Sequence, residues 1–288
     1  MARVWRCEGA EALPDGTVLD RCWVFCCPAN TDYVHVQRRS VMTPAEAAFY
    51  LGVPNIIMVQ AGSHERAYGE FTAPLRQYAI ALRPLRRVAW SIVGSGGRHE
   101  GKELASVLEL AAEFSNLHGV FMDDFFHSDG DAQLSLAELR EVRTHLQLPD
   151  RRLDLWVVAY AHMLSAKMSA HLEQCDVVSL WTWDANDLEH LPASLARLEE
   201  ISPGSRKALG LYFWDYPNKR PVPLELMQHQ CQAALEWLRQ GRIQEMVFLG
   251  NTVMDLDLPS VEWAREWIAQ IGGERLLRAA GRYLSAQG

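Results

Sequence analysis

Short apolar runs of about six residues alternate along this chain with amphipathic stretches of about fourteen, the pattern of strands alternating with helices. The runs are CWVFCC (22–27), NIIMVQ (55–60), RVAWSIVG (87–94), GVFMDDFF (119–126), LDLWVVAY (153–160), DVVSLWTW (176–183), ALGLYFWD (208–215) and EMVFLGN (245–251). Each is hydrophobic nearly throughout, as parallel strands covered on both faces must be. Between them the period changes. Leu104, Val107, Leu108, Ala111 and Phe114 step by three and four, and so do Leu224, Met227, Cys231, Leu235 and Leu238. Thr43, Pro44 and Glu46 predict a capping box with proline at the first helical position, and Ser135 with Glu138 predicts another.

Eight strand–helix units in a chain of 288 residues predict a single (β/α)8 TIM barrel over 1–288. The lead-in is 1–20 and a polar helical tail covers 272–288. An open doubly wound sheet is the alternative. It would carry a Gly-rich phosphate loop after the first strand, where this chain has CCPANTDY. GSGGR (94–98) lacks the Lys-Ser/Thr of a P-loop and reads as a flexible loop after the third strand.

Composition narrows the function. The net charge is −8 and no long single-sign run occurs, which argues against nucleic-acid binding. No window approaches the roughly 18 apolar residues of a membrane span, and the N-terminal stretch has no apolar signal core. A cytoplasmic protein is expected. The six cysteines form no Cys-x-x-Cys pair, so neither a disulfide framework nor a structural zinc site is expected.

Chemistry in such a barrel comes from strand ends and the loops that follow. Those positions hold Asp123, Asp124 and His127; Tyr160 and His162; Trp181, Trp183, Asp184, Asn186 and Asp187; Trp214, Asp215, Tyr216 and Lys219; and Asn251, Asp255 and Asp257. Carboxylates interleaved with Trp and Tyr suit a sugar, whose C–H faces stack on rings and whose hydroxyls need polar partners. Glycosidic cleavage needs a protonated acid and a second carboxylate.

The most specific signal is GVFMDDFF, because two adjacent aspartates ending a buried strand are costly without partners or work. Strand alternation puts Phe121 with Asp123 and Met122 with Asp124, so one carboxylate is expected in the mouth and the other toward the loop. Asp184 and Asp215 each follow a Trp and are the candidates for the second carboxylate. Trp181, Trp183, Trp214 and Tyr216 are the expected aromatic wall, with Tyr160, His162 and Asn251 as further substrate contacts. No His-x-His or His-Glu-x-x-His occurs, so no metal or other cofactor is expected. Cys26 and Cys27 read as small buried residues rather than nucleophiles.

GVFMDDFF resembles the G-x-x-x-D-D-[FY]-F fourth-strand segment of glycoside-hydrolase-like barrels, many of them bacterial and of unassigned activity. The resemblance implies that Asp123, four after Gly119, is the inward carboxylate. The adjacent aspartates with the later Trp181-Thr182 also resemble hexosaminidases that remove N-acetylglucosamine by substrate-assisted catalysis. That likeness implies that Asp123 orients the acetamido group and Asp124 is the acid/base. The chain departs from it after Thr182, with Trp183-Asp184 where a Gly is expected. The expected function is a glycoside hydrolase acting on a small carbohydrate. The alternatives are a barrel that binds sugar without cleaving it, and a lyase or isomerase with the same acidic mouth.

Overall fold

A computed structural model describes residues 16–31, 36, 38–59, 73–94, 97 and 101–276. The lead-in over 1–15, most of GSGGR and the tail beyond Leu276 lie outside the described residues.

The barrel strands are β1 (Cys22–Cys26), β2 (Asn55–Met58), β3 (Arg87–Ser91), β4 (Leu117–Met122), β5 (Asp154–Tyr160), β6 (Val177–Trp181), β7 (Arg206–Leu211) and β10 (Glu245–Leu249). They pair in parallel and close in the order β1-β10-β7-β6-β5-β4-β3-β2. The chain is thus a (β/α)8 barrel. β8 (Trp214–Asp215) and β9 (Arg220–Pro221) form a short antiparallel ladder in the loop after β7. The outer helices are α1 (Pro44–Leu51), α2 (Leu75–Ala81), α3 (Lys102–Glu113), α4 (Leu136–His145), α5 (Ser169–Leu172), α6 (Leu191–Ile201), α7 (Leu224–Arg239) and α8 (Pro259–Ile271) among the described residues. Both capping boxes form: Thr43 and Glu46 cap each other's backbone at α1, and Ser135 and Glu138 do so at α4.

The strands stop earlier than the apolar runs that mark them. Most runs overshoot at their C-terminal end, because the residues past each ladder stay buried as the chain folds over the barrel mouth. Phe125, Phe213 and Val253 are buried although no barrel strand includes them.

Large rings fill the interior. Trp23 meets Trp156 edge-on at 5.0 Å, and Phe25 meets Phe121 at 5.8 Å and Trp181 at 5.7 Å. Gly210 makes room for one of them, since a Cβ there would lie 2.0 Å from the Trp181 ring. At the N-terminal end of the strands an ion pair forms the barrel floor. Arg87 Nη1 donates to Glu245 Oε1 at 3.0 Å, and Trp23 Nε1 donates to Glu245 Oε2 at 2.8 Å. The Arg87 guanidinium also lies over the Trp23 ring, 4.5 Å from its centroid.

Candidate active site

The interior rings identify which residues face the mouth, because side chains two apart on a strand share a side. Two places past Phe25, Phe121, Val158, Trp181 and Gly210 stand Cys27, Asp123, Tyr160, Trp183 and Tyr212. These five come from β1, β4, β5, β6 and β7 and meet over the barrel core.

Asp123 follows β4 directly, on the side of Phe121. Asp124 does not turn away as alternation would have it. Its backbone is left-handed (φ 47°), so the strand geometry ends there and the second carboxyl also reaches the mouth. Gly97, past the end of β3, fits closely against this turn. A Cβ at Gly97 would lie 2.2 Å from the Asp124 carbonyl oxygen, and Gly97 has φ 73°. Only glycine satisfies both demands. Phe125 and Phe126 then bury themselves, their rings meeting edge-on at 5.0 Å, and anchor the loop.

The Tyr160 hydroxyl donates to Asp124 Oδ1 at 2.7 Å. Tyr212 adjoins the Tyr160 hydroxyl. Around these groups the aromatic side chains close ranks. Trp183 meets Tyr160 at 6.1 Å and Tyr212 at 5.9 Å, and stacks on Tyr216 at 5.0 Å. His162 stacks on the other side of Tyr160 at 5.8 Å.

Burial pushes the Asp123 carboxyl well above the usual carboxylate range, and the neighbouring Asp124 charge adds to the effect; the Asp124 N–H opposes it. Burial also raises Asp124, but the bond from Tyr160 favours its charged form. The pair therefore holds a proton more readily than ordinary aspartates, and the bond from Tyr160 to Asp124 favours leaving that proton on Asp123. Burial likewise raises the Cys27 thiol, with Cys26 and Asp123 adding to it, so Cys27 stays protonated and is a poor nucleophile.

The other expected site residues are placed differently. Asp184 caps the 3-10 turn Ala185–His190, accepting from the Asn186 N–H at 2.9 Å, and Asn218 donates to it at 3.0 Å. Asp215 is buried, accepting from the same Asn218 amide at 3.0 Å and from Arg220 Nε at 3.1 Å. Asn218 thus ties the two carboxylates together as a clamp between the loops after β6 and β7. Trp181 lies within the barrel interior, its Nε1 donating to Ser179 at 3.1 Å. Trp214 is buried beside the short ladder. Asn251 ties strand ends together: it accepts from the Cys27 N–H and donates to the Cys27 and Met42 carbonyls. Of the expected wall, Trp183 and Tyr216 stand at the mouth with Tyr160 and His162.

Tyr212 and Gly97 escape a reading by sequence. Tyr212 is legible by parity, two places after Gly210 on β7. Gly97 is not, since its role rests on a contact with another loop. Among the described residues no group of three or more His, Cys, Asp or Glu is placed to hold a metal ion. No described helix is long and apolar enough to cross a membrane.

No family model and no curated protein matches the chain. Solved structures do. One is a barrel provisionally assigned as an alpha-L-fucosidase from Bacteroides thetaiotaomicron, with TM-score 0.59 and 10% identity over 92% of this chain and 99% of that one. The catalytic domain of a chitinase from Pyrococcus furiosus matches with TM-score 0.51 and 13% identity over 78% and 82% of the two chains. A xylanase and alpha-amylase inhibitor protein from Scadoxus multiflorus matches with TM-score 0.54 and 8% identity over 87% and 98%. The chain shares the TIM-barrel fold of these structures. At such identities the likeness concerns the fold alone.

Proposed function

We propose that this barrel is a glycoside hydrolase whose catalytic centre is the Asp123–Asp124 pair. The observation that carries the reading is the pair itself: two adjacent carboxyls at the end of β4, half-buried, one bonded to Tyr160. Such an arrangement splits one proton between two groups and so supplies an acid and an anion at neutral pH. Asp123, holding the shared proton, protonates the glycosidic oxygen as the bond to the anomeric carbon breaks. Asp124 stays ionised and stabilises the positive charge that develops on the sugar.

Asp184 and Asp215 are engaged by Asn218, which leaves the adjacent pair to carry both roles. Two neighbouring carboxyls leave little room for an enzyme nucleophile opposite the acid. A substrate that brings its own nucleophile suits them, which favours glycosides of an N-acetylhexosamine. The acetamido oxygen would bond to the anomeric carbon as the leaving group departs, and water would then open the ring so formed. In this assignment the acid is Asp123, the reverse of the order implied by the hexosaminidase resemblance. Trp183, stacked on Tyr216, is the ring proposed to meet the sugar. The five cysteines among the described residues are free and buried, which suits a reducing compartment and a cytoplasmic setting.

A second reading is a mouth that binds carbohydrate without cleaving it; one of the similar structures is a xylanase and alpha-amylase inhibitor protein. A panel of aryl glycosides, with and without the N-acetyl group, separates the two. The wild type should release the aryl group from an N-acetylhexosaminide, and Asp123→Asn and Asp124→Asn should each remain folded while at least one loses roughly a hundredfold or more. Binding without release of any aryl group would support the second reading.

A further inference from the structure

We propose that Tyr160 is a positioning residue that keeps the shared proton on Asp123, by giving its own hydroxyl hydrogen to Asp124. The inference rests on the catalytic reading of the pair and adds a reason for the division of labour within it.

The geometry is specific. Two adjacent carboxyls have no intrinsic order of protonation, so the surroundings must choose. The Tyr160 hydroxyl reaches Asp124 Oδ1 at 2.7 Å, a well-formed hydrogen bond that favours the ionised form of its acceptor. That hydrogen is therefore committed to Asp124.

The ring of Tyr160 has little freedom to leave. His162 stacks on it and Trp183 meets it edge-on. Asp124 is fixed by its left-handed backbone and by the close approach of Gly97. Donor and acceptor are thus both held before any ligand arrives. The ionisable groups that face the pair among the described residues are Cys27 from the end of β1, Tyr160 from β5 and Tyr212 from the end of β7, with Tyr216 beyond Tyr212. Burial raises all four, so each stays neutral while the pair titrates. The hydroxyl bond to Asp124 then adds to burial in setting the order within the pair.

The test is a pH titration of protein carrying 13Cγ-labelled aspartate, the two signals being assigned with Asp123→Asn and Asp124→Asn. In the wild type Asp123 should lose its proton at the higher pH. In Tyr160→Phe the Asp124 midpoint should move up and the Asp123 midpoint down, with the circular dichroism spectrum unchanged. Tyr160→Leu, which also lacks the hydroxyl, should shift both the same way, and it serves as the deciding variant if Tyr160→Phe does not fold. Curves unchanged by whichever of these variants folds would overturn the proposal. The readout needs no substrate. If the curves move as expected and no aryl glycoside is cleaved, the hydrolase reading falls and the positioning role stands. If an aryl glycoside is cleaved and the curves do not move, the positioning role falls and the hydrolase reading stands.

Discussion

At the residue scale the chain places its most expensive side chains where they can be used. A carboxyl held protonated by burial costs stability once solution pH would ionise it in the unfolded chain. The folded Asp123 keeps its proton to higher pH than the unfolded one, so its contribution is complete below about pH 4, the ordinary aspartate value, and falls as pH rises toward its folded midpoint. Asparagine does not titrate. Asp123→Asn should therefore gain melting temperature relative to wild type as the pH is raised from about 4 to about 8, and the two should converge at the acid end. Thermal melts across that range check the sign. A gap that widened toward acid would mean that Asp123 is stabilised as an anion. The importance of both aspartates is legible in GVFMDDFF, since polar residues ending an apolar run are conspicuous. Their joint orientation is not, because it depends on one left-handed residue and on a glycine more than twenty positions upstream.

At the scale of elements, the strands and their capped helices are readable from period and cap chemistry alone. Strand-end residues, however, are not equivalent, and parity sorts them. Tyr160, Trp183 and Tyr212 face the mouth, Trp181 fills the core two places below Trp183, and Asp215 falls in the short ladder beyond β7. A carboxylate beside a tryptophan reads the same in sequence whether it meets a ligand or an Asn218 amide. The β6–β7 contact depends on a missing side chain. Gly210→Ala would drive a Cβ into the Trp181 ring, and such overpacking should cost about 1–3 kcal/mol. Urea denaturation should show the midpoint fall. A midpoint unchanged from wild type would mean that the Trp181 ring is free to move aside.

For the whole molecule, the ends of the barrel divide the work. The N-terminal end is closed by Arg87, Glu245 and Trp23, while the C-terminal end gathers carboxyls and rings. Glu245→Ala would leave the Arg87 cation buried beside its lost partner and should cost about 3–5 kcal/mol in chemical denaturation, with little effect on the mouth. A loss below about 1 kcal/mol would show that the floor is already solvated. The barrel and its general likeness to glycoside hydrolases follow from eight periodic units and one local motif. The identity of the sugar does not, since a fold hosts many chemistries and the loops decide among them. The most direct measurement is therefore the leaving-group dependence of Asp123→Asn. With an aryl group that departs without a proton, the variant should approach wild-type turnover; with a poor leaving group it should fall by roughly a hundredfold or more. An equal loss on both substrates would contradict the account, because Asp123 would then not be the acid.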